Sequence, residues 1–343
     1  MSLHNAVAAL AAADQVILTT HVGPDGDGIG TCLALRLGLE GLGKRVRLIF
    51  PGKIPATYRF LPGFDQIVGI KDDTAATALV PEIAATAATV VLSCDAGDLR
   101  RLGQVQPIVA AVRAAGGKLI NLDHHATNDR FGDINLVDVA GESSGVVADE
   151  LLAAIHLRAG RTWQPGVEAA ACLYTTIIYD TGRFMHSNTT PRCLRWTAAL
   201  MECGIDASAI NRALTYTRTA QDMQVQRLAL EHLAVDAETP GLAGITLRRA
   251  AIDTIGDPED WGDLVELPRT LAGNQVAFVL RETKDGKIRA SLRSNPPLAI
   301  SGVAMGFGGG GHAQAAGFTA EGKLDDLLPL LLPKLRAVLG KPS

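Results

Sequence analysis

The apolar positions of the chain fall into short continuous runs, separated by longer segments that are apolar on one side. Val16-Ile17-Leu18-Thr19, Lys44 to Phe50, Thr89 to Cys94, Lys118 to Leu122 and Ile134 to Val137 read as strands. The unbroken runs among them suit strands covered on both faces. Leu3 to Ala13, Thr31 to Leu42, Val146 to about Arg158 and Pro165 to Tyr179 read as helices. Ser143 or Ser144 is placed to cap the third, Gly182 to stop the fourth, and Thr190-Pro191 to open another. Pro51 to Gly69 reads as a loop. Strands that alternate with helices predict an α/β domain built on a parallel sheet.

The pattern changes after residue 205. Residues 206–230 become more polar and helical, as a connector would be, and residues 231–343 read as a smaller α+β domain. Its strands are Leu242 to Arg248, Gln275 to Arg281 and Ile288 to Ser294, with a helix near Trp261 to Leu271. Asp285-Gly286 supplies the hairpin turn before the third strand. A helix from Ala299 to Met305, a glycine run and a last helix from Leu324 to Leu339 complete it.

Composition narrows the class. The chain has 343 residues, 47% of them hydrophobic, which is enough for two cores. The formal net charge is −4, from 32 basic and 36 acidic residues, with no basic stripe of the kind that tracks long nucleic acid. A phosphate-bearing substrate is therefore expected to be short. No apolar run reaches membrane-spanning length, and the Ala-rich start lacks the basic residues of a signal peptide. The five cysteines form no C-x-x-C pair and lie mostly in apolar segments. Free thiols in a reducing cytoplasm are the expectation.

Candidate chemistry gathers where strands end. The first strand runs into His21-Val22-Gly23-Pro24-Asp25-Gly26-Asp27-Gly28, the third into Asp95, and the fourth into Asp123-His124-His125; Asp180 closes a helix. In open α/β sheets the carboxyl edge is where ligands bind. Carboxylates mixed with imidazoles suit Mn²⁺ or Mg²⁺. The plainer alternative is a solvated turn in which Asp25 or Asp27 caps the next helix.

Taken together, these motifs resemble the DHH phosphoesterase superfamily. Gly308 to Gly317, reading GGGGHAQAAG, looks like the signature of its DHH-associated C-terminal domain, and Ser291-Leu292-Arg293-Ser294 is similar to the strand before it. Asp180 to Phe184 and Ser187 to Pro191 resemble the nanoRNase/pAp phosphatase (NrnA-type) group. The resemblance implies two Mn²⁺ ions, with Mg²⁺ as an alternative, in a cleft between the domains. His21 and Asp25 would hold one, Asp27, His124 and Asp180 the other, and Asp95 would bridge them. Asp123 would orient the site, and His125 would face the phosphate or leaving group as a general acid. Arg293, the backbone of Gly309, Gly310 and Gly311, and His312 would bind substrate phosphate; Asn128 is a candidate for substrate contact or for the turn.

The implied substrates are very short RNA oligonucleotides and pAp (3′-phosphoadenosine 5′-phosphate), with cyclic or linear dinucleotides as alternatives. The resemblance also allows a homodimer. Ala313 and Gln314 stand where many relatives carry a basic residue, which bears on substrate preference. Three rivals are kept: a family II pyrophosphatase, a RecJ-like single-strand exonuclease, and a non-catalytic nucleotide sensor. The glycine-His signature, the chain length and the intact ligand set respectively weigh against them.

Overall fold

A computed structural model describes residues 2–258, 261 and 264–340, with every side chain in those ranges except that of His312. The chain divides between Thr217 and Arg218 into two compact units. The first contains, in order, α1 (Ser2–Ala12), β1 (Gln15–Thr19), α2 (Gly26–Glu40), β2 (Arg45–Pro51), β3 (Ile67–Ile70), α3 (Asp73–Ile83), β4 (Thr89–Cys94), α4 (Gln106–Ala114), β5 (Lys118–Asp123), β6 (Ile134–Val137), α5 (Ser144–Arg158), α6 (Val167–Asp180), α7 (Pro191–Glu202) and α8 (Ala207–Thr215).

Its strands form one sheet, ordered β3-β2-β1-β4-β5-β6, with every neighbouring pair parallel. Alternate residues of a strand feed opposite cores, as the two-residue period requires. Val16 and Leu18 of β1 join Ile29, Leu33, Leu152 and Leu173 on one face, while Ile17 joins Ile108 and Val112 on the other. The order reverses between β1 and β4, so the loops leaving these strands diverge and open a crevice at the carboxyl edge. The predicted α/β parallel-sheet class is the class observed.

Three local differences have physical causes. The stretch read as a loop from Pro51 to Gly69 contains β3, a four-residue edge strand whose central residues are exposed. Its Ile-Val-Gly-Ile sequence is largely β-branched but only four residues long, and parallel pairing with β2 makes it a strand. Helix α3, not anticipated, is Ala-rich and only slightly buried, at Ala76 and Ile83. Helix α2 begins at Gly26, five residues before the expected Thr31, because Asp25 Oδ1 accepts the N–H groups of Asp27 and Gly28 at 3.0 and 3.2 Å. Its glycines weaken the helical signal, but α2 lies too close to α6 for larger residues: a Cβ on Gly30 would stand 2.6 Å from the Cys172 carbonyl oxygen.

The second unit contains α9 (Ala220–Glu231), β7 (Leu233–Val235), β8 (Leu242–Leu247), α10 (Arg249–Asp253), α11 (Glu266–Arg269), β9 (Val276–Glu282), β10 (Lys287–Ser294), α12 (Ser301–Met305), β11 (Gly310–His312), β12 (Ala315–Glu321) and α13 (Leu324–Leu339). The sheet order is β11-β12-β10-β9-β8-β7, antiparallel except for the β8–β9 pair. The predicted smaller α+β domain is thus a second sheet. One face is covered by α12 and α13 through Ala304, Leu324, Leu327, Leu331 and Leu335. The other is covered over β8 and β9 by Val225, Leu228, Ile252 and Leu264. The helix expected from Trp261 to Leu271 contracts to α11; residues 262 and 263 of that stretch lie outside the described residues.

Segment 206–230 spans the boundary of the two units: α8 buries Ile210 in the first core, and α9 buries Val225 and Leu228 in the second. All five cysteines are free, four of them buried. No helix among the described residues is long and apolar enough to cross a membrane.

Candidate metal centre

Two groups of candidate metal ligands meet at the carboxyl edge of the first sheet, where β1, β4 and β5 end. After β1, His21 Nδ1 faces the Val22 carbonyl at 3.0 Å, which leaves Nε2 3.4 Å from both Asp25 Oδ2 and Asp95 Oδ2. Asp95 leaves β4 with φ of 58°. That left-handed conformation costs a non-glycine residue on the order of 1 kcal/mol or more, and such strain gathers at functional sites. The Asp95 N–H donates to the Leu122 carbonyl at 2.9 Å and holds the turn.

Asp27, in the first turn of α2, is fully buried. Its carboxylate accepts the backbone N–H groups of Ser144 at 2.7 Å and Gly145 at 3.2 Å, both at the start of α5. The positive end of α5 therefore supports the Asp27 charge. His124 directs Nδ1 at the Gly141 carbonyl, 3.2 Å away, and Nε2 at Asp180 Oδ2, 2.9 Å away. The same Nε2 lies 3.7 Å from Asp27 Oδ2 and 3.9 Å from Asp95 Oδ1. Asp95 thus turns Oδ2 to the His21 group and Oδ1 to the His124 group. The Ser144 hydroxyl donates to that Oδ1 at 3.3 Å.

The electrostatics call for cations. Burial opposes charging of His21, but hydrogen bonds and charges from Asp25 and Asp95 outweigh it and raise its pKa to about 10. Burial likewise opposes His124, and Asp180 foremost raises it to about 9. Asp27 is pushed well above the usual carboxylate range, first by burial and then by the charges of Asp180 and Asp95. His124 Nε2 and Asp180 Oδ2 are both buried, and although they lie 2.9 Å apart neither finds a well-aligned hydrogen-bond partner among the described residues.

Ligand atoms of His21, Asp25 and Asp95 lie within 4.8 Å of one another, as do those of Asp27, His124 and Asp180. Buried lone-pair atoms without a well-aligned partner, with carboxylates crowded round imidazoles, fit divalent cations that prefer oxygen and nitrogen.

Asp95, Asp123, His124 and His125 form a third group by the same spacing. Asp123, however, is already committed. Its Oδ1 accepts from the His124 N–H at 2.8 Å and faces His125 Nδ1 at 2.8 Å, while Oδ2 accepts from Asn128 Nδ2 at 2.5 Å. Burial raises the Asp123 pKa, but those bonds prevail and hold it below the usual range. Asn128 is also fully engaged: it donates to the Ala96 carbonyl at 3.0 Å and accepts from Asn121 at 2.8 Å and the Arg130 N–H at 2.7 Å. These bonds fasten the turn that follows His125.

In the second unit, Arg293 Nε lies 3.6 Å from Glu266, and Nη1 donates to the Leu292 carbonyl at 3.2 Å. A Cβ on Gly309 would stand 2.1 Å from the Gly317 carbonyl, and one on Gly311 2.4 Å from that of Ala315. Close backbone approach requires these two glycines, whereas Gly310 opens onto empty space. His312 pairs its backbone with Ala315; its side chain lies outside the described residues.

In the sequence, Ser143-Ser144-Gly145 reads only as a helix cap. Ser143 is that cap, but the contacts of Ser144 and Gly145 with Asp27 and Asp95 went unseen. So did buried Glu142, which accepts from Thr190 at 2.5 Å and Arg192 at 2.7 Å. Asn188 donates both to the Glu142 carbonyl at 3.1 Å and to the Asp180 carbonyl at 3.3 Å, tying this network to the site.

Fold and site together are those of a hydrolase. The chain belongs to the DHH family: residues 15–177 match the DHH family, N-terminal domain, and residues 245–340 match the DHHA1 domain. It is 30% identical to the bifunctional oligoribonuclease and PAP phosphatase NrnA of Thermus thermophilus, over 95% of this chain and 90% of that one. It is 25% identical to the protein of the same name from Bacillus subtilis, over 89% and 88%. An exopolyphosphatase-related protein from Bacteroides fragilis shares the fold, with a TM-score of 0.85, 24% identity and coverage of 99% and 98%.

Proposed function

We propose that this chain hydrolyses very short oligoribonucleotides and pAp, using two divalent cations, Mn²⁺ in the first instance. The observation that supports it most is Asp95, whose two carboxylate oxygens face two separate ligand groups. In this reading His21 and Asp25 hold one cation, Asp27, His124 and Asp180 the other, and Asp95 both. Bound cations supply a lowered pKa for water and neutralise phosphoryl charge.

The chain's own groups do the rest. The Val22 and Gly141 carbonyls keep the Nδ1 protons of His21 and His124, so that each Nε2 lone pair points into the site. Asp123 also holds the Nδ1 proton of His125, and its hydrogen bond raises the pKa of that ring, favouring an imidazolium whose Nε2–H faces substrate as the proton donor to the leaving oxygen. Asn128 fixes Asp123. In the second unit, Arg293 and the open Gly310 edge take a phosphate.

The test is hydrolysis of a 5′-phosphorylated diribonucleotide, pAp, cyclic di-AMP and pyrophosphate, with Mn²⁺ and with chelator. Chelator-sensitive turnover of the first two, lost in Asp95→Ala, is expected. Activity confined to pyrophosphate, or retained in Asp95→Ala, overturns the reading.

A further inference from the structure

Half of one sheet face in the second unit is covered by no helix of that unit among the described residues. Helical residues cover that face over β8 and β9, but over β10 and β12 it carries Arg289, Ser291, Arg293, Ala315, Gly317 and Thr319. These residues line a cavity of about 450 Å³. A protein that only needed to close this surface would place apolar side chains there and cover them.

Its outer end is electrostatically costly. Arg289 on β10 stands directly opposite Arg281 on β9, and like charges paired across strands destabilise a sheet. Among the described residues neither forms a salt bridge. The Arg289 side chain is exposed and makes no hydrogen bond or ion pair among the described residues. Arg281 stacks over Trp261, its guanidinium carbon 4.4 Å from the ring centroid. The nearby carboxylate of Asp257 is shared by Arg249 and Lys284, at 3.4 Å from each. Arg293 is different, since Glu266 lies within 3.6 Å of it.

From this arrangement we infer that Arg289 and Arg281 form a second anion position, which takes the phosphodiester backbone of an oligonucleotide running along β10. Arg289 and Arg293 share a face four residues apart, so their backbones are separated by roughly 13 Å at strand rise. A single strand crosses that distance in no more than about four nucleotides at the rise of stacked bases. Small residues at 291, 315 and 317 leave the path open, and an Arg stacked on Trp is the platform that single-stranded nucleic acid favours. An oligonucleotide of about three or more residues gains this second contact, whereas pAp is too short to reach it. The inference rests on the proposed phosphoesterase reading.

The experiment compares wild type, Arg289→Ala and Arg281→Ala on pAp and on 5′-phosphorylated di- and pentaribonucleotides. The expected result is an unchanged KM for pAp and a KM for the pentamer raised about fivefold or more, with the dimer between them. Binding of a labelled pentamer by the metal-free chain gives a separate readout. There, Arg289→Ala should flatten the dependence of log K on log salt by about 0.7. An equal change for pAp and pentamer, or an unchanged pentamer KM and salt slope, overturns the inference. If wild type hydrolyses none of these substrates, the functional reading fails, and the binding arm still decides the role of Arg289.

Discussion

Gly30→Ala tests how helix contact sets the metal centre. Gly30 lies one turn beyond Asp27 on α2, against α6, whose last residue is Asp180. The new methyl would stand 2.6 Å from the Cys172 carbonyl oxygen and 2.8 Å from Thr176 Cγ2. Ordinary contact begins near 3.5 Å, so the helices must part locally by ~0.8 Å. A helix carbonyl cannot swing aside as a flexible side chain can. Overpacking of this kind costs about 1–3 kcal/mol, which corresponds to a fall in melting temperature of roughly 2–12 °C for a domain of this size. The displacement also exceeds the ~0.5 Å within which a functional constellation must be held. Mn²⁺ affinity should therefore drop by about tenfold or more. Thermal denaturation and Mn²⁺ titration of wild type and variant measure both effects. A variant with wild-type melting temperature and Mn²⁺ affinity would show that the α2–α6 contact does not set the distance between Asp27 and Asp180. Gly302→Ala is the control: it is exposed, helical and has nothing within 4 Å of the new methyl. It should stabilise by about 0.5–1 kcal/mol.

Two further outcomes follow from the electrostatics. Glu142 is held below its usual pKa: burial works against it, and the Arg192 and Thr190 hydrogen bonds prevail. Its contribution is therefore complete above the ordinary value of 4.5 and is lost as pH falls through the lower folded value. Glu142→Gln should cost about 1–3 kcal/mol at neutral pH, with the gap from wild type narrowing in urea titrations at acid pH; a gap that stays constant with pH refutes this. Mn²⁺ should stabilise the chain by about 2.7 kcal/mol at a hundredfold excess over Kd. Chelator should reverse the gain, and Asp95→Asn should abolish it; an equal thermal shift in that variant would exclude Asp95 as a ligand.

Much of the first domain was legible because its signals are local. An unbroken apolar run such as Thr89 to Cys94 cannot be a surface loop, and a strand that runs straight into Asp95 or Asp123-His124-His125 leaves those groups at the sheet edge. The glycine-His run and the hairpin turn are likewise properties of neighbouring residues. What stayed hidden depends on contacts between distant parts of the chain. Ser144 and Asp27 are 117 residues apart, so the helix start that supports the Asp27 charge leaves no mark near either residue. Residue type alone made Asp123 and Asp95 equally good ligands, and only the family resemblance told them apart; the fold adds a physical difference, since both oxygens of Asp123 are committed to His125, Asn128 and the backbone. The α2 glycines read as a loop because local propensity counts against them, and only the approach of α6 explains why they are needed in a helix. The opposed Arg281 and Arg289 came from strand register, which pairs residues across a turn and sets two like charges face to face. Local chemistry fixes which groups a strand can deliver to its end, while the distances between those groups belong to the packing of the whole domain.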